Sequence, residues 1–187
     1  MLSQNLENSQ FCGISYGLPD SLDSTMAIID PSGERLMKYM LPDELNQENA
    51  IALIENVKAG KATPFWRSEL DPVNTKGQLQ VITANTLTQL INDKKDAIIA
   101  VYYSSQEPLQ PYYKATSALV KDPKNIIYGR FSAALNDWSG PVVGDDLPCL
   151  VCFKNGKLVY AKKMEETDAE VSKQIAEALA APITEEL

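Results

Sequence analysis

The stretch Asp145-Asp146-Leu147-Pro148-Cys149-Leu150-Val151-Cys152-Phe153 decides how the second half of the chain is read. It is a short apolar run entered through a proline. It is left at Lys154-Asn155-Gly156-Lys157, where Asn-Gly is the strongest short hairpin signal, and Leu158-Val159-Tyr160-Ala161 follows as the return strand. A proline at the mouth of a buried strand removes a ladder donor and so needs a reason. Two reasons fit. One is an edge strand. The other is a cis Leu147–Pro148 peptide bond, a form common only before proline and often found at a site.

Upstream of the hairpin, strands and helices alternate. Leu79 to Ile82 reads as a strand and Thr86 to Asn92 as a short helix with Leu87, Leu90 and Ile91 inward. Ala97-Ile98-Ile99-Ala100-Val101-Tyr102-Tyr103 is near-continuously apolar, as a strand buried on both faces should be. Leu109 to Lys121 fits a helix with Pro111 in its first turn. Asn125 to Phe131 is another strand, and Ala133 to Trp138 reads as a short helix. After the hairpin, Thr167 caps a helix through Leu179, with Val171, Ile175, Ala178 and Leu179 inward. The order β-α-β-α-β-α-β-β-α implies an α/β fold: a mixed central sheet with helices on both faces.

The first third echoes that ending. Met26 to Asp30 and Arg35 to Met40 read as a hairpin around the turn Pro31-Ser32-Gly33-Glu34. A helix opening at Pro42-Asp43-Glu44-Leu45 carries Ile51, Leu53, Ile54 and Val57 at helical spacing and is capped by Gly60. One hairpin and one helix bury too little by themselves, so residues 1–60 read as a partial copy of the second domain type. Residues 61–78 hold two prolines and no periodicity and read as a linker. In it, Phe65-Trp66 reads as an anchor, either to a partner or to the chain itself.

Composition excludes several classes. The 187 residues carry a net charge of −8 and no histidine, with a pI near 4.6. The acidic balance opposes binding to nucleic-acid phosphates, and the scattered basic residues form no stripe. Without histidine, every Ser-His or Cys-His nucleophile is excluded, and three cysteines alone make a zinc site improbable. No phosphate-cradling loop or dinucleotide fingerprint occurs, so no cofactor is expected. No apolar run is long enough to span a membrane. The first six residues have no basic or apolar signal-peptide region.

Five places carry a resemblance. They are Gly60-Lys61-Ala62-Thr63-Pro64 with Ser68-Glu69 and Pro72; Val81 to Leu90; Asn125 to Ala133; Leu147-Pro148; and Phe11-Cys12-Gly13-Ile14 with Met26 to Ile29. Their order resembles the C-terminal b′ and a′ domains of the protein disulfide isomerase family, whose domains have the thioredoxin fold. The resemblance implies a partial b′-type domain at 1–60, a linker at 61–78, a complete a′-type domain at 79–181 and an acidic tail at 182–187. It also favours the cis form of Leu147–Pro148.

One departure bears on function. The family's active site reads Phe-Tyr-Ala-Pro-Trp-Cys-Gly-His-Cys-Lys-x-Leu-x-Pro. Here Tyr102-Tyr103-Ser104-Ser105 runs through Gln106-Glu107-Pro108 into Leu109-Gln110-Pro111, so both flanks survive and the thiols between them do not. The family's buried glutamate would fall at Val101. Cys149 and Cys152 form a Cys-x-x-Cys within a strand, where residues three apart point to opposite faces roughly 10 Å apart. A disulfide needs Cα atoms within about 7 Å, so the two are not expected to bridge. Cys149, beside Pro148, reads as a packed small hydrophobe, with a partly exposed reactive thiol as the alternative, and Cys152 reads as core.

The resemblance therefore implies a redox-inactive relative, not acting as an enzyme. It would bind an unfolded or partner polypeptide at Tyr103, Pro108, Leu147, Pro148 and Cys149. The terminal Glu186-Leu187 resembles part of a retention signal and, with the family, implies the endoplasmic reticulum lumen. Two alternatives stand beside it: a residual thiol oxidoreductase using Cys149, and a structural subunit that self-associates through its partial N-terminal domain.

Overall fold

The computed structural model describes residues 26–33, 36–103, 109–121, 125–138, 140 and 147–183. Cys12, Pro108 and the 184–187 tail lie outside these. The chain divides into two units, Met1–Arg67 and Ser68–Leu187. The division falls within the stretch read as a linker.

In the first unit, β1 (Ala27–Asp30) and β2 (Met37–Met40) form the expected antiparallel hairpin, with Ile28 opposite Tyr39. Asp30 accepts the Ser32 N–H at 2.9 Å and so shapes the turn. Helix α1 (Gln47–Lys58) begins later than the sequence pattern predicts. Asn46, in an extended conformation, accepts the Asn49 N–H at 2.8 Å, and that cap leaves Pro42 to Leu45 outside the helix. The end is as predicted. Gly60 takes φ +66°, its N–H donates to Val57 and that of Lys61 to Asn56, a Schellman closure. Of the four apolar positions, only Leu53 is buried, and Ile51 is 47% exposed. Phe65 belongs to this unit: its N–H donates to the Lys38 carbonyl at 2.6 Å, and the Lys38 ammonium stands 5.8 Å from its ring centre.

The second unit is built on a five-stranded sheet in the order β3-β5-β4-β6-β7. Its strands are β3 (Gln80–Ile82), β4 (Ala97–Tyr102), β5 (Ile127–Ser132), β6 (Cys149–Lys154) and β7 (Lys157–Lys163). The first three run parallel, and β6 and β7 are antiparallel additions. Residues 97–101 of β4 are all buried, as their unbroken apolar run requires. Ile98, Ala100, Leu150 and Cys152 face one core with Tyr112, Val171 and Ile175. Ala97, Ile99, Val101, Cys149, Val151 and Phe153 face the other with Leu87 and Leu90. Helices α3 (Gln110–Thr116) and α4 (Asp168–Ala180) thus cover one face and α2 (Ala84–Asn92) the other.

Two predicted helices change. The one read over 109–121 stops at Thr116 and resumes as a 3₁₀ turn at Leu119–Lys121. The hydroxyls of Thr116 and Ser117 bond back to the carbonyls of Tyr112 and Lys114, competing with helix continuation. The helix read at 133–138 is a turn. Asn136 is only 2% exposed there, and its carboxamide is committed to other segments.

The hairpin forms as Asn-Gly predicts, with Asn155 at φ +51° and Gly156 at φ +73°. A Cβ on Gly156 would lie 2.3 Å from the Ile91 carbonyl oxygen, so the glycine also lets the turn dock on the end of α2. Helix α4 is capped by Thr167, as predicted, and buries Gln174, which the sequence pattern does not single out. That side chain bridges the Lys163 carbonyl and the Glu165 N–H.

Candidate polypeptide-binding surface

The Leu147–Pro148 bond is cis. The Pro148 carbonyl accepts the Met164 N–H at 2.8 Å, and Cys149 lies between Val101 of β4 and Lys163 of β7. Because β4 and β6 are antiparallel, the entry to β6 and the exit from β4 share one end of the sheet. Tyr103, just past β4, is 61% exposed there. Leu147 and Pro148 are half-buried, and the Leu147 side chain packs against the core that holds Trp138 and Val101. The backbone N–H and carbonyl of Leu147 find no partner among the described residues. Tyr103, Leu147, Pro148 and Cys149 thus gather at one sheet end, while Phe65 and Trp66 belong to the first unit.

Both thiols are packed as the sequence favours, and the alternative of a partly exposed Cys149 does not hold. That residue is 4% exposed, because β4 and β7 flank it and Val101 and Phe131 share its core. Burial pushes its thiol up to about 11. Cys152 lies in the opposite core, and burial lifts its thiol to about 11 as well. The two are unbridged. Val101 is buried among apolar neighbours where the family's glutamate would stand. Helix α3 starts at Leu109 with no side-chain cap. Among the described residues no cluster of His, Cys, Asp or Glu could hold a metal, and no helix is long and apolar enough to cross a membrane.

Sequence reasoning missed two buried polar residues, one at this end of the sheet and one farther along β4 and β5. Asn136 accepts the N–H groups of Glu69 and Ala84 and donates to the Glu69 carboxylate and the Ser132 carbonyl. Tyr112, fully buried, donates to the carbonyls of Ile98 and Gly129 at 2.9 Å. Neither lies in a motif. A buried amide and a tyrosine on an inward helix face leave a signal only in three dimensions.

A five-stranded mixed sheet of this order, helices on both faces and a cis-proline at the entry to its fourth strand, defines a thioredoxin-like fold. Its relatives narrow the class. The chain is 26% identical over 119 residues to human protein disulfide-isomerase A4, covering 62% of this chain and 18% of that protein. It is 24% identical over 152 residues to Arabidopsis thaliana protein disulfide isomerase-like 1-3 (79% and 25%). With protein disulfide-isomerase of Aspergillus niger it shares 26% over 126 residues (63% and 24%). The chain thus spans about a fifth to a quarter of the length of these relatives. No family model matches. Among solved structures, Malassezia sympodialis thioredoxin aligns over 60% of this chain and 98% of its own, at 17% identity and a TM-score of 0.42. Human ERp44 aligns over 52% and 32%, at 14% identity and 0.40. The chain carries a thioredoxin-like region that is similar to protein disulfide isomerases.

Proposed function

We propose that this protein binds extended polypeptide at the Leu147–Pro148 end of its sheet without dithiol–disulfide exchange, as a chaperone or adaptor of the endoplasmic reticulum lumen. The carrying observation is the pairing of an open backbone with silent thiols. The N–H and carbonyl of Leu147, without a partner among the described residues, are what an extended chain needs for strand-like hydrogen bonding, and exposed Tyr103 adds an aromatic platform beside them. At the same end, the sequence from Tyr103 to Gln110 holds no cysteine. Cys149 is buried with its thiol lifted to about 11, the reverse of the lowered pKa a nucleophilic thiol requires. The similarity to protein disulfide isomerases supports the compartment.

The test is binding of a labelled, cysteine-free unfolded polypeptide by fluorescence anisotropy, beside insulin reduction by dithiothreitol. The expected result is saturable binding that survives replacement of Cys12, Cys149 and Cys152 by alanine. Tyr103→Ala should weaken it by about fivefold to tenfold, the effect of losing one aromatic contact. Insulin should be reduced at the background rate with or without the cysteines. Absence of binding, or an insulin rate lost with Cys149, overturns the reading.

A further inference from the structure

Strand β5 runs between β3 and β4, so both of its edges are paired. Tyr128 faces the core under α3 and α4, and Phe131 faces the core under α2. Alternation therefore turns Arg130 toward α3, beside Val81 of β3 and Ala100 of β4. A cation is out of place there. Central strands bury both faces, and a charge drawn out of water needs a partner. Arg130 is partly buried, and Ala100 next to it is fully buried.

The protein supplies that partner poorly. Among the described residues, the one hydrogen bond of the guanidinium runs from Nη1 to the Tyr113 hydroxyl, at a long 3.4 Å. It forms no ion pair with them. Its other electrostatic neighbours are Tyr102 and Glu69, and the Glu69 carboxylate already accepts from the Asn136 amide at 2.8 Å. None of the remaining guanidinium nitrogens is sealed from solvent. Lys154, likewise partly buried in this unit, is handled otherwise: its ammonium donates to the carbonyls of Leu179 and Ala181. Lys154 has its acceptors built in, whereas Arg130 holds open donors beside two tyrosines.

We infer that Arg130, framed by Tyr102 and Tyr113, binds a carboxylate group of a ligand from solution. The planar guanidinium fork meets a carboxylate through two parallel hydrogen bonds, and such charge-assisted pairs are the strong ones. The Tyr113 hydroxyl, bonded to Nη1, is placed to donate to the same anion. Charge selects the class. Glu69 acts on the same guanidinium and the chain carries −8 overall, so a singly charged carboxylate is repelled less than a doubly charged phosphate. The carboxylate comes from an acidic side chain of a polypeptide or from a small free acid; the chemistry is shared, and the experiment separates the two. Arg130 faces α3, whereas Leu147 packs on the α2 core, so neither this proposal nor the proposed function needs the other.

The experiment is nuclear magnetic resonance of the 187-residue chain labelled with ¹⁵N-arginine. The chain has three arginines, Arg35, Arg67 and Arg130, so three side-chain Nε–H signals are followed. That of Arg130 is assigned by its loss in Arg130→Lys or, should that variant fail to fold, by its contact with the Tyr113 ring protons. The probes are acetate, phosphate, a neutral-ended pentapeptide with one central glutamate and its glutamine counterpart, at constant ionic strength set with chloride. The expected result is a saturable shift of the Arg130 signal with acetate and with the glutamate peptide, and none with the glutamine peptide. The Arg35 and Arg67 signals should stay in place, and phosphate should bind more weakly than acetate. Tighter binding of the glutamate peptide than of acetate supports a polypeptide source, and the reverse supports a small acid. No saturable shift at Arg130, an equal shift of all three arginines, an equal response to the glutamine peptide, or tighter binding of phosphate overturns the inference. A silent Arg130 in a protein that still binds unfolded polypeptide would refute the carboxylate site and leave the proposed function standing.

Discussion

Two helix starts in the second unit show opposite uses of the same element. At α2, the first three N–H groups each find a side-chain acceptor. Ala84 donates to Asn136, Asn85 to Ser68 and Thr86 to Thr83. Thr86 returns a bond to the Thr83 N–H, and Thr83 donates to Asp71. The acceptors come from the connector, the cap and the turn after β5, so this helix start binds three segments together. At α3, Leu109 offers no side-chain cap and Pro111 contributes no N–H. In the family that this chain resembles, the corresponding helix start presents a nucleophilic thiol. One terminus has been spent on architecture, while the other has no side-chain cap at Leu109 among the described residues, and the sequence leading into it holds no thiol.

The sharpest way to break the comparison is at its hub. Asn136→Ala removes four hydrogen bonds, among them the acceptor for Ala84 and the tie to Glu69. Loss of a buried, multiply bonded amide predicts a fall of about 3 kcal/mol in unfolding free energy by urea titration. Hydrogen exchange should also rise at residues 68–71. A loss under 1 kcal/mol would mean that the α2 start does not organise the connector.

The next effect concerns where the thiols went. Cys149 and Cys152 are both lifted to about 11 by burial, whereas a thiol in the unfolded chain titrates near ~8.5. Between those values the folded state holds protons that the unfolded state has released. This contribution to stability is complete below pH ~8.5 and is lost as pH rises toward 11, on the order of 2 kcal/mol per thiol. Urea unfolding at stepped pH should show that decline, with a shallower slope once both cysteines are alanine. An unchanged slope would mean that the thiols titrate freely and would reopen the oxidoreductase alternative.

Legibility in the sequence followed the scale of the interaction. The β4 run and the Asn-Gly turn were plain because periodicity and positive φ are local properties. The burial of Cys149 was legible from its apolar strand, but its neighbours were not, because Val101 and Lys163 come from β4 and β7, remote in sequence. The cis bond at Leu147 needed the family resemblance, since the nine residues around it by themselves favour an edge strand. The helix expected at 133–138 failed for the same kind of reason. Asn136 is held by Glu69 and Ala84 rather than by its own segment. In the first unit, helical spacing found α1 but not its face, since Ile51 is exposed and Leu53 buried.

Smaller effects sharpen the comparison between the helix starts. Thr83→Ala removes the α2 cap and the bond to Asp71 and should cost about 1–2 kcal/mol, the upper range for a buried cap. Thr83→Ser should recover most of it. Among the described residues no side chain caps α3; beside the apolar core it shares with α4, its charged contact with that helix is the Lys114–Asp168 ion pair at 3.0 Å, with both side chains at least half exposed. Such pairs contribute little because water screens them and long side chains lose entropy in forming them. Lys114→Ala should therefore change stability by less than about 0.5 kcal/mol, with the difference vanishing in high salt. A larger, salt-resistant loss would show that α3 is held from its side as firmly as α2 is held from its start, and the contrast between the two helices would then lie in where each is anchored rather than in how strongly.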